Sequence, residues 1–426
     1  MRLYTNPEKS QWSEIVARPV MDAQKLEKTV RKILEKVSDK GDKAVKKFTK
    51  ELDGISLKRL LVTEKEWKQG IASLDPALKA AMDQAAANIR KFHEAQQSEV
   101  QVIETMPGIQ CWRKSIAIEK VGLYIPGGTA PLFSTILMLG IPAQIAGCKE
   151  IVLCSPPNKE GGLHPAILYA AKLVGVTVLA KCGGAQAIGA MAYGTDSIPA
   201  VYKIFGPGNQ YVTCAKQLVQ QSGTAIDMPA GPSEVAVFAE ATANVDFVAA
   251  DLLSQAEHGI DSQVICVTTD ASLPEKLKEA VAQQLSQLPR KHLADQALEN
   301  SKIVVVKDRE TALQLLNAYA AEHLILNCED PQALIPSIVN AGSVFLGAYT
   351  PESVGDYASG TNHTLPTNGY AKAYSGVSLD SFVKKVTFQQ LSKEGLQAIG
   401  TTVTTMAEAE GLLAHANAVT VRLKTL

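Results

Sequence analysis

The chain has 426 residues, enough for two or three domains, and its 46% hydrophobic and 20% charged residues suit a globular protein with a real core. A formal net charge of −1 leaves no basic surplus to draw it to nucleic acid or to an anionic membrane surface. Its N-terminus lacks an apolar signal core, and the longest apolar stretch, 132–146, is broken by Gly140, Pro142 and Gln144 and is too short to span a bilayer; a cytoplasmic setting is expected.

The first hundred residues are charged, with apolar positions at helical spacing over 24–50 and 64–96. No nucleotide-binding loop occurs there, and the segment reads as scaffold. From Val121 the texture changes. A short strand, 121–125, ends in Pro126, Gly127 and Gly128, and a helical apolar stretch follows. Then come strand 150–155, helix 165–174, strand 178–182, helix 185–193, strand 201–205 and helix 209–220. That alternation predicts a doubly wound parallel sheet. Three glycine-rich turns follow strands, at 126–128, 183–186 and 206–209, where open α/β sheets bind ligands. Glycine lets backbone amides approach a phosphate at a helix N-terminus. No GxGxxG or GxxxxGK[ST] fingerprint occurs, so on these turns alone ordinary βα turn chemistry and nucleotide binding stand level.

A second βα series starts with strand 233–238. In its first helix Asp246 is placed to cap the start and Gly259 to make the left-handed stop. Asp251, Gln255 and His258, spaced four and three apart, then share one face. A carboxylate, an amide oxygen and an imidazole are costly to bury without partners and make a good start for a metal site. Taken alone, such a segment is more often a solvated helix end with a satisfied histidine. Strand 263–268, helix 274–288, strand 302–306 and helix 310–321 continue the series, and short strands at 324–326 and 344–346 complete it. Glu322 and His323 form a candidate pair for proton transfer, although a structural pair is the commoner use of such a dipeptide. The segment 355–363 reads as a loop that offers Asp356 and His363. Asp356, Gln255, His258 and one further imidazole would make an oxygen and nitrogen site suited to Zn²⁺ or another divalent ion. From about residue 378 the chain reads as helical again, with His415 near Glu410. This tail is too small to fold alone and is expected to pack on a partner subunit. The seven cysteines form no CxxC pair, and several sit in apolar runs, which fits reduced core thiols without a nucleophilic role.

In chain order, VGLYIPGG (121–128), GGAQ (183–186), FGPGN (205–209), DMPAGPSE (227–234), DLLSQAEHG (251–259), EHL (322–324), GDYASGTNH (355–363) and AHANA (414–418) resemble the histidinol dehydrogenase family over nearly the whole sequence. The resemblance implies an α/β fold with two Rossmann-like doubly wound domains with parallel sheets, plus small N- and C-terminal helical domains used in dimerisation. It implies an N-terminal arm, 1–22, a first Rossmann-like domain from 23–122 and 235–377, a second, NAD-binding domain at 123–234, and a helical dimerisation tail at 378–426. It implies one Zn²⁺ per subunit on Gln255, His258, Asp356 and His415, the last supplied by the neighbouring subunit of a homodimer. The metal would hold the substrate's imidazole and amine nitrogens. Glu322 and His323 become the acid/base pair, and Ser233, His363 and Glu410 contact substrate together with His323 and the metal ligands. Tyr124, Gln186 and Asn209 belong to the NAD site, which in this family lacks the usual fingerprint. Asp251 is not among the family's ligands. The implied reaction is the four-electron oxidation of L-histidinol to L-histidine, the last step of histidine biosynthesis. A zinc hydrolase would use the same residue types but would need no run of glycine-rich βα turns.

Overall fold

The computed structural model describes residues 1–18, 23–127, 131–229 and 231–426. Residues 19–22 of the expected arm, Gly128 of the first glycine-rich turn and Ala230 of the 227–234 block lie outside the described residues. Two compact units result, one of residues 1–95 and 118–382, the other of 96–117 and 383–426. No helix among the described residues is long and apolar enough to cross a membrane.

The first unit holds two parallel sheets. The five-stranded one runs Val178–Lys181, Glu150–Ser155, Lys120–Tyr124, Lys203–Phe205, Ala225–Ile226. Its strands are near-continuous apolar runs because both faces are covered. Val121, Leu123, Ile151 and Leu153 point to one face, under the helices Phe133–Ala146 and Pro165–Leu173. Val152 and Cys154 point to the other, under Gly184–Tyr193 and Gln210–Gln220. Lys120–Tyr124 is first in sequence yet central, so the strand order reverses there and opens a crevice at the strands' C-terminal ends.

The six-stranded sheet runs Arg2–Thr5, Lys302–Val305, Gln263–Thr268, Glu234–Ala239, His323–Asn327, Ser343–Leu346. Every pairing in it is parallel. The strand Arg2–Thr5, which has no alternating pattern of its own, gains its partner only by lying beside Lys302–Val305.

The α/β class with parallel sheets is the one expected, but three assignments need correction. Residues 23–94 do not cover the six-stranded sheet. Val30, Ile33 and Val37 pack into one core of the five-stranded sheet and Met82, Ala85 and Ile89 into the other. They form no separate helical domain. Residues 102–106 and 109–117, taken as part of an α/β domain, form an antiparallel hairpin in the second unit. The tail is not helical from 378: Val383–Leu391 is a strand paired with Ile109–Ala117, with Trp112 and Phe388 stacked at 5.5 Å between ring centres. Helices occupy Lys393–Ala409 and Leu413–Leu423. Val383, Val386 and Phe388 suit a pleated strand, but the strand that pairs with them comes from residues more than two hundred positions earlier.

Candidate active site

The candidate residues gather at the N-terminal edge of the six-stranded sheet. His323 opens its strand opposite Val235, which brings Glu322 beside Glu234. The Glu234 N–H donates to Glu322 Oε2 at 2.9 Å, and His323 Nδ1 lies 3.3 Å from the Glu234 carbonyl oxygen. The other ring nitrogen, Nε2, is 3.0 Å from Asp356 Oδ1. Glu322 and Glu352 place carboxylate oxygens 3.7 and 3.9 Å from Nδ1.

Two local expectations are corrected here. The helix is Val245–Ala256, capped by Asn244, whose side chain accepts from the N–H groups of Asp246 and Phe247. It ends through right-handed Glu257, and Gly259 has no positive φ. His258 therefore lies past the helix, not on a shared face with Asp251 and Gln255. Asp356 sits within the short helix Glu352–Tyr357, not in an open loop. A turn of helix at that point lets Glu352 and Asp356, four residues apart, reach the same histidine.

Glu352 carries no sequence signal, since a glutamate in a first helical turn is ordinary. It is 1% exposed, accepts from Ser254 Oγ at 2.7 Å and is hydrogen-bonded by the Gln255 side-chain amide. Thr135 is a second unforeseen member: its hydroxyl lies 3.0 Å from His363 Nε2, while His363 Nδ1 is 2.7 Å from the Asp356 carbonyl oxygen. Ser233 stands next to Glu234 at the strand entrance, and its carbonyl accepts from Gln263 N–H. Glu410 and His415, expected at the same site, belong to the second compact unit and are exposed there.

Burial favours the neutral form of His323, but the carboxylates of Glu322, Asp356 and Glu352 outweigh it and push its pKa up to about 10. Burial raises Glu322 to about 8 and Glu352 to about 7. Burial also pulls His258 and His363 down, toward the neutral imidazole. Asp356, despite burial, is held below the usual carboxylate range by its contact with His323.

Among the described residues no group of three or more His, Cys, Asp or Glu is assembled for a metal. The donor chemistry nevertheless fits a divalent ion. Gln255 Oε1 is buried without a hydrogen-bond partner, a cost a cation would remove. Three carboxylates crowd one imidazole. An amide oxygen, a neutral imidazole and an ionised carboxylate match the ligands such ions take.

A second feature lies at the order reversal of the five-stranded sheet. A cavity of about 730 Å³ is lined by Tyr124, Gln186 and Asn209, and also by Asp53, Pro126 and Gly184. The Tyr124 hydroxyl accepts from Gly184 N–H at 3.1 Å. Asn209 caps the helix Gln210–Gln220 through Oδ1, and Gln186 Oε1 is buried and unpaired. Gly206 has φ +129°, and a Cβ there would collide with the Tyr124 carbonyl, so this turn takes only glycine.

A sequence profile of the histidinol dehydrogenase family matches residues 16–423. The chain belongs to the histidinol dehydrogenase family. It is 58% identical to histidinol dehydrogenase of Bacteroides thetaiotaomicron over 426 residues, covering all of both chains. It is 52% identical to the chloroplastic histidinol dehydrogenase of Arabidopsis thaliana, covering 98% of this chain and 90% of that one. The crystal structure of histidinol dehydrogenase from Elizabethkingia anophelis superposes with a TM-score of 0.97 at 54% identity, covering 100% of this chain and 98% of the other. Membership makes the protein an oxidoreductase. The family's sequence signature thus spans both parallel sheets, and the clusters at the two sheet edges are features of one enzyme chain.

Proposed function

We propose that the protein oxidises L-histidinol through the aldehyde to L-histidine, consuming two NAD⁺ and one water and releasing two NADH and two protons. The observation that carries this reading is the meeting of Glu322 and His323 with Gln255 and Asp356 at one sheet edge. The cavity beside Tyr124, Gln186 and Asn209 is the NAD site in this reading, with residues 123–234 as its domain. Gln255, His258 and Asp356, with His415 of a second subunit, would hold one Zn²⁺ per subunit. When bound, the ion supplies positions for the substrate's imidazole and amine nitrogens and so orients the carbinol carbon.

His323 takes the hydroxyl proton as hydride leaves the carbinol carbon for NAD⁺. Positive charge held by Asp356 would counter the carboxylates that keep the ring protonated, and so favour the neutral base. Glu322, whose pKa near 8 suits proton exchange at neutral pH, removes a proton from the water that hydrates the aldehyde. His323 returns its proton to the aldehyde oxygen as the hydrate forms, and, neutral again, takes a proton from the hydrate as the second hydride leaves, which yields the carboxylic acid. Ser233, His363 and Glu410 contact substrate in this reading, the tail 378–426 serves dimerisation, and the setting is cytoplasmic. Cys148, Cys266 and Cys328 are poor candidates for a thiol nucleophile: burial pushes Cys148 and Cys266 up to about 12 and Cys328 to about 11.

Zinc-loaded protein given L-histidinol and NAD⁺ should form two NADH per histidinol. A strong chelator should abolish the signal and added Zn²⁺ restore it. Binding of nucleotide or metal without NADH formation would overturn the reading.

A further inference from the structure

Arg18, on the N-terminal arm, makes a web of contacts that reaches the active site. Its Nε and Nη2 donate to the two oxygens of Glu234, at 3.1 and 2.8 Å. Nη2 also donates to the Tyr319 carbonyl at 2.6 Å, Nη1 donates to Val16 O at 2.9 Å, and the guanidinium lies 3.8 Å over the Tyr319 ring. The pair is buried, with side chains 10% and 2% exposed. The backbone N–H of Asn368 closes the set by donating to Glu234 Oε1 at 2.7 Å. The same glutamate's peptide groups face the acid/base pair: its N–H holds Glu322 Oε2 and its carbonyl faces His323 Nδ1.

We propose that Arg18 is a positioning residue, which fixes the Glu234 carboxylate and thereby the backbone groups that set the Glu322 carboxylate and the His323 ring. The physical reason is the cost of an unpaired buried charge. Without Arg18, the Glu234 carboxylate must turn toward water or attract a proton, and either change moves the main chain that carries it. A planar guanidinium can bridge both carboxylate oxygens and a carbonyl while stacked on a ring; an ammonium cannot. The proposal rests on the histidinol oxidation proposed above.

The test measures turnover of the zinc-loaded full chain with histidinol, and separately with the aldehyde, for the wild type, R18M, R18K, E234Q and the double variant. R18M should lower kcat about 10- to 100-fold in both half-reactions, the scale of loss that a misplacement of reacting groups by about 1 Å brings. KM for NAD⁺ should hold, because the Tyr124 cavity lies on the other sheet. R18K should recover part of kcat, and the double variant should be no worse than R18M, since both changes disable one device. An unchanged kcat in folded R18M overturns the proposal, as does a loss of thermal stability with kcat intact or a KM for NAD⁺ that rises in step. Should R18M not fold, R18K and E234Q decide by the same criterion. Absence of NADH from the wild type itself would instead sink the histidinol reading, and this inference with it.

Discussion

Glu322 and His323 are neighbours in sequence, but their surroundings separate their chemistry. Glu322 is buried and held by one backbone N–H, whereas His323 is ringed by carboxylates. Substituting Glu322→Gln keeps the shape and one acceptor but removes the proposed base for water. Its effect should fall mainly on aldehyde oxidation, by about 10²- to 10⁴-fold, with alcohol oxidation affected less. Separate rates with histidinol and with the aldehyde check this, and equal losses would count against the role given to Glu322. Asp251 offers a test of stability. Burial raises its carboxyl from 3.8 to about 7. An acid raised by folding holds its proton in the native state while the unfolded chain has released it. Stability from this group is therefore full below about pH 4 and is lost as pH rises toward 7. Asp251→Asn should match the wild type near pH 4 and exceed it by roughly 1–4 kcal/mol above pH 7, measured by urea unfolding across that range.

At the scale of elements, the 206–209 turn is braced from beneath. Lys216 Nζ donates to the Gly206 carbonyl at 2.9 Å and pairs with Asp227, whose Oδ2 accepts from Gly206 N–H at 2.8 Å. Both side chains are almost fully buried. The turn's shape thus depends on an ion pair between the helix Gln210–Gln220 and the residue just after Ala225–Ile226. Lys216→Met should cost about 3–5 kcal/mol in unfolding free energy, the usual result of stranding one buried charge. In protein kept below its melting point, KM for NAD⁺ should rise more than KM for histidinol, because Asn209, proposed for the NAD site, belongs to the braced turn. Steady-state kinetics with each substrate varied in turn would reveal the contrast.

For the whole molecule, the division of the proposed metal ligands between two compact units is the central matter. Gln255, His258 and Asp356 belong to one unit and His415 to the other. If His415 serves a neighbouring subunit, mixing inactive His415→Ala and Glu322→Ala protomers should restore activity, up to about a quarter of wild type when dimers form at random and one of the two sites carries no mutation. Verified mixed dimers with no activity would refute the shared site.

The sequence alone determined the βα alternation and the residue types at both sheet edges. Those signals are local: strand and helix periodicities arise among neighbours, and a glycine-rich turn is recorded in consecutive residues. Glu150–Ser155 and Gln263–Thr268 were legible to the residue for that reason. The proposed metal and acid/base roles come only from an ordered set of family motifs, because Glu322 and His323 as a bare dipeptide are commonplace. Only the tertiary structure revealed Glu352, which meets Gln255 across 97 residues, and Arg18, which meets Glu234 across 216. It alone assigned the N-terminal helices to the five-stranded sheet and paired the hairpin 102–117 with the strand near the other end of the chain. The physical reason is common to all of these. A buried polar group must find a partner, and that partner is chosen by where the fold brings the chain together, which no local pattern records.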